Sequence, residues 1–100
     1  MIECNLTLLC PSALEEKLLD VLLMLPQVAV LTSAKAAAHG VRPERLSTGE
    51  QVLGRAMVTQ IQVLLRAVDK EFVLNAIRHQ FAGAGIRYWI TPVIGEGEIA

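Results

Sequence analysis

One hundred residues carrying nine basic and ten acidic side chains make a single domain, residues 1–100, of nearly balanced charge. No basic stripe is present to neutralise a phosphate backbone, which excludes nucleic acid as a partner, and no run approaches the ~20 apolar residues that cross a bilayer. Apolar residues nevertheless reach 53%, above the roughly 45–50% of ordinary soluble domains, so the surplus predicts a subunit contact or an exposed patch.

The opening Met-Ile-Glu-Cys-Asn lacks the basic start of a secretion signal, which predicts a cytoplasmic protein that is not inserted in a membrane. Ile2 to Cys10 alternates: Ile2, Cys4, Leu6 and Leu8 point one way, and Glu3, Asn5, Thr7 and Leu9 the other. This spacing predicts strand 1 with its apolar side on a core. Cys4 and Cys10 stand six residues apart on it, roughly 20 Å at ~3.3 Å per residue, too far for a disulfide within the chain.

Ser12 then offers an N-cap and Glu15 a capping box. Leu14, Leu18, Val21, Leu22 and Leu25 form the inner stripe of the helix, and Pro26 stops it. Val28 to Ala38 predicts strand 2, and the polar, proline-containing stretch from Val41 to Gly49 a loop. Strand 3 starts near Gln51, is interrupted at Gly54 and runs to Arg66. On it Met57, Thr59, Ile61, Val63 and Leu65 require a core, while Ala56, Val58, Gln60, Gln62 and Leu64 make a mixed second face. A strand of this length in so short a chain belongs at the centre of a sheet. Its mixed face is too apolar for open water and too polar for a private core, so it predicts helices on one side and another subunit on the other.

Asp69 caps the second helix, with a staple between Val68 and Val73. Phe72, Val73, Ala76, Ile77 and Phe81 are expected to point inward, and Gly83-Ala84-Gly85 to end the helix. Ile86 to Ile94 predicts strand 4, with Pro92 suited to a sheet edge. The order is βαββαβ, an α+β, ferredoxin-like fold in which two helices cover one face of a four-stranded antiparallel sheet.

Three segments carry a resemblance: Ala37-Ala38-His39-Gly40, Glu50-Gln51-Val52-Leu53-Gly54-Arg55, and Gly85-Ile86-Arg87-Tyr88-Trp89-Ile90-Thr91-Pro92-Val93. Together they resemble an uncharacterised family of PII-like proteins often encoded beside heavy-metal efflux pumps. The resemblance implies a homotrimer in the manner of PII signalling and CutA-type proteins. In such a trimer the sheets face the threefold axis, ligand clefts lie between subunits, and a regulatory partner, such as a membrane transporter, reads the cleft. It implies a ligand role for His39, Gly40, Glu50 and Arg55, a metal role for His39 and Cys10, and an interface role for Gln60, Gln62 and Trp89. No cofactor is specified. The chain departs from nucleotide-binding PII proteins in its short Val41–Gly49 loop, in a turn before strand 4 without lysine, and in Glu96 and Glu98 where those proteins carry arginines. A polyphosphate would meet negative charge there.

No triad, nucleophile elbow or phosphate-cradling glycine loop is present, so the sequence indicates a protein that is not an enzyme. Two other classes stay open: a small ferredoxin-like enzyme with a pocket between sheet and helices, and a purely structural trimer. Cys4 reads as core packing, His79 as a solvated surface group, Arg55 and Arg66 as partners in ion pairs between subunits, and Tyr88 as facing the helices opposite Trp89.

Overall fold

A computed structural model describes residues 1–40, 49–50 and 55–100. The expected loop from Val41 lies outside these as far as Thr48, as do the start of strand 3 near Gln51 and the interruption at Gly54; Gly49, the expected end of that loop, is instead helical with Glu50. The described residues hold strands β1 (Cys4–Pro11), β2 (Val30–His39), β3 (Arg55–Leu65) and β4 (Arg87–Pro92), with helices α1 (Glu15–Leu23) and α2 (Lys70–Phe81). All pairings are antiparallel and the order is β2-β3-β1-β4. This is the ferredoxin-like arrangement, with the long strand β3 central and β4, ending in Pro92, at an edge.

Alternation decides what is buried. Leu6, Leu8, Ile61, Val63 and Leu65 are fully enclosed, and meet Leu18 and Leu22 of α1 and Val73, Leu74 and Ile77 of α2. These side chains fill the space between sheet and helices, where the enzyme reading would need its pocket. No helix of the described residues is long and apolar enough to cross a membrane.

Three local expectations are corrected. Ser12 does not cap α1: Ser12–Leu14 forms a 3₁₀ turn, α1 starts at Glu15, and the hydroxyl donates instead to the Met57 carbonyl at 3.0 Å. A serine hydroxyl takes whichever acceptor is near, and here strand β3 supplies one, tying the helix entry to the sheet. Asp69 occupies the cap position of α2 but does not bond its first turn; its carboxylate accepts from Arg66 Nε at 2.9 Å. Phe72 is 54% exposed, and Leu74 takes the buried place.

Candidate functional site

The register places the side chains of the uncovered sheet face in rows. Thr91, Asn5, Leu64 and Val30 form one row, Trp89, Thr7, Gln62 and Thr32 the next, and Arg87, Leu9, Gln60 and Ala34 the third. Pro11, Val58 and Ala36 form the fourth row, and Ala56 and Ala38 extend the face beyond Pro11 and end it. The face therefore carries aromatic, aliphatic and amide groups with a border of alanines. Trp89 is 40% exposed on it, Gln62 is exposed and Gln60 half-buried. Asn5 Nδ2 donates to Gln62 Oε1 at 3.0 Å, while Asn5 Oδ1 is buried with no partner among the described residues. Tyr88 lies on the opposite, helix-covered side. Its hydroxyl accepts from Arg78 at 3.3 Å, and the guanidinium stands 6.0 Å from the ring centroid.

At one end of this face a concavity of about 880 Å³ opens. It forms because β1 outruns β4: the pairing of the two strands stops at Leu9 and Arg87, leaving Pro11 beside the turn that leads into β4. Leu9, Ala56, Met57 and Val58 give it an apolar floor, and His39, Gly40, Glu50 and Arg87 are its polar rim. Gly40 sits at φ 77° and Gly85 at φ 84°, a left-handed backbone that glycine adopts without strain, so both turns approach the cavity closely. The Glu50 carboxylate accepts the Met57 N–H, which holds an acidic group at the mouth.

Three of the four residues expected at a ligand site, His39, Gly40 and Glu50, thus border one cavity. Arg55 pairs with His39 in the register but is exposed outside that border. Sequence reasoning missed Arg87; its place opposite Leu9 in the β1–β4 ladder is the signal that would have found it.

The two side chains named for a metal are kept apart. Cys10 is fully buried, its thiol donates to the Pro11 carbonyl at 3.2 Å, and burial, helped by the charge of Glu15, pushes its pKa up to about 11. Its row is that of Lys35, four residues and two strands from His39; at ~3.3 Å per residue and ~4.8 Å per strand this is roughly 16 Å. A protonated core thiol at that distance does not share an ion with His39. No group of three His, Cys, Asp or Glu side chains among the described residues is placed to hold a metal. Cys4 is buried, as its pattern required.

Residues 2–100 match DUF3240, described as a protein of unknown function. A DUF3240 family protein from Shewanella baltica superposes with a TM-score of 0.82 at 16% identity, covering 98% of this chain and 97% of that one. CPII, a nitrogen regulatory PII-like protein from Thiomonas intermedia bound to ADP, AMP and bicarbonate, gives 0.72 at 13% identity, covering 98% of each. A protein from Thermus thermophilus described as PII-like signalling gives 0.65 at 16% identity, covering 93% of this chain and 88% of that one. At such identities the likeness is one of fold, and that fold is PII-like. No curated protein matches the chain.

Proposed function

We propose a function from one premise: this chain belongs to the DUF3240 family of proteins of unknown function. The reading is a non-enzymatic, PII-like regulatory protein that assembles as a homotrimer through its uncovered sheet face and senses a small ligand or metal ion in the clefts between subunits. His39, Gly40, Glu50 and Arg87 contact the ligand, with Arg55 at the rim. Occupancy is passed to a partner, such as a transport system, through the segment from Val41 to Gly49.

One observation carries this reading: the concavity opens at the end of an apolar and amide-bearing sheet face that lies away from α1 and α2 and leaves Trp89 and Gln62 exposed. Packing a second subunit on that face would bury Trp89 and wall the cavity on its open side. The PII-like protein from Thiomonas intermedia, which shares the fold, holds two adenine nucleotides and bicarbonate. Here the rim offers His39 and Arg87 against Glu50, a mixed set that suits a small anion better than a polyphosphate.

Calorimetric titration with zinc, copper, bicarbonate, AMP, ADP and ATP is the test, run beside thermal melts of wild type and of an Arg87→Gln, His39→Ala variant. Saturable heat and a raised melting temperature with one of these, lost in the variant, is the expected result. Absence of heat and of any thermal shift with every one of these ligands removes the sensor reading.

A further inference from the structure

Strand β3 outlasts its neighbour. β1 stops at Pro11, opposite Val58, where the chain turns into the 3₁₀ segment that ends at Leu14. The next place in the ladder, opposite Met57, is therefore not taken by a strand. A residue of an antiparallel pair turns its N–H and its C=O toward the same neighbour. Met57 offers both to this place, and two side chains take them. The Ser12 hydroxyl donates to the Met57 carbonyl at 3.0 Å, and the Glu50 carboxylate accepts the Met57 N–H.

The two substitutes differ. Ser12 is neutral and belongs to the chain that leaves β1, whereas Glu50 arrives from a separate segment. Among the described residues that border the cavity, Glu50 is the one acid and Arg87 the one strong base, with His39 on the same border and Arg55 exposed beside it. A carboxylate is thus already seated on a backbone donor, in a hollow whose other charge is positive. The bond is exposed to solvent, so another oxyanion can exchange with it while the amide keeps an acceptor throughout.

We propose that Glu50 is a resident competitor for the cleft: its carboxylate occupies the position on the Met57 N–H that a small planar oxyanion takes when the cleft is filled. This inference rests on the small-anion reading of the cleft and specifies it. Glu50 meets the ligand by giving way to it, and the ligand class is the one that Glu50 itself represents, two oxygens on a trigonal carbon, as in bicarbonate or the carboxylate of an organic acid. The competition sets the affinity. The apparent dissociation constant is the intrinsic one divided by the fraction of molecules in which the amide is open to the anion, so a carboxylate seated in about nine molecules of ten weakens binding about tenfold. Tetrahedral phosphate does not share the shape of the group it would replace.

The test is amide NMR of the full chain, following the Met57 N–H in wild type, Glu50→Ala and Glu50→Gln as acetate, bicarbonate or inorganic phosphate is added. Acetate or bicarbonate shifts the Met57 signal and binds about tenfold more tightly in Glu50→Ala than in wild type. Glu50→Gln, which keeps an acceptor without the charge, falls between and serves alone if Glu50→Ala does not fold. Hydrogen exchange of that amide is slow in wild type, fast in Glu50→Ala, and slow again once the anion is present. Preference for acetate assigns the site to an organic acid and preference for bicarbonate to the inorganic ion; either supports the proposal. Phosphate binding more tightly than both, or equal exchange of the Met57 amide in wild type and variants, overturns it. A wild type that binds either planar anion, with neither variant binding more tightly, overturns this inference alone. No response to either anion in any of the three proteins overturns it together with the small-anion reading of the cleft.

Discussion

Replacing Trp89 with serine tests the role of the uncovered sheet face directly. Trp89 is 40% exposed in the single chain. A large aromatic side chain presents up to about 250 Å², so in the proposed trimer roughly 100 Å² would be covered by a neighbouring subunit, worth ~2.5 kcal/mol at ~25 cal/mol per Å². Each 1.4 kcal/mol is about tenfold in affinity, so Trp89→Ser should weaken each subunit contact by about sixty-fold. The folded monomer should lose little, because the side chain stands on the solvent face of an edge strand. Sedimentation velocity across a dilution series measures the assembly. Trp89 is also the only tryptophan, so the wild type's own emission reports the same event: it should shift to the red as dilution uncovers the ring. An unchanged sedimentation profile in Trp89→Ser, or wild-type emission that stays water-like at every concentration, refutes the reasoning.

Three further outcomes follow from the core and its turns. Leu18 is fully enclosed between helix and sheet, so Leu18→Ala should cost about 3 kcal/mol in urea unfolding. Cys10 has a folded pKa raised from 9.0 to about 11; a raised value means that its contribution is complete below pH 9 and is lost as pH climbs toward 11. Unfolding midpoints should therefore fall over that window in wild type and fall less in Cys10→Ala, and the native thiol should react slowly with a disulfide reagent at about pH 8. Gly83 follows α2 at φ 78° with open space around its missing Cβ, so Gly83→Ala should cost about 1 kcal/mol from backbone conformation alone, read by thermal melting.

Much of the fold is legible in the sequence because the strands alternate cleanly. Of the set Met57, Thr59, Ile61, Val63 and Leu65, expected to need a core, the last four are fully buried while Met57, near the start of the strand, is 44% exposed; the period of two still fixes the inner face of β3. Side-chain hydrogen bonds are less legible. Ser12 and Asp69 sit at the helix starts that their residue types suggest, yet each bonds a partner its local motif does not name. The competing acceptor for Ser12 lies 45 residues away, on β3. Phe72 and Leu74 exchange places because the inner stripe of α2 is narrow and two residues turn a helix through about 200°. The candidate site was only half visible. His39, Gly40 and Glu50 could be named from one stretch of chain, whereas Arg87 joins them through a ladder between strands far apart in sequence.

The Val93 N–H donates to the Glu3 carbonyl at 2.9 Å, so the two ends of the chain leave the sheet as neighbours. A short linker could join them into a ring, and the backbone could be reopened at another surface turn without disturbing any strand pairing. A reporter fused to either terminus would sit at the pole remote from His39, leaving the ligand cavity unobstructed. It would crowd the exposed Leu23, Met24, Val68 and Phe72 at that pole instead, which makes tag position a variable to control when partners are sought by affinity capture.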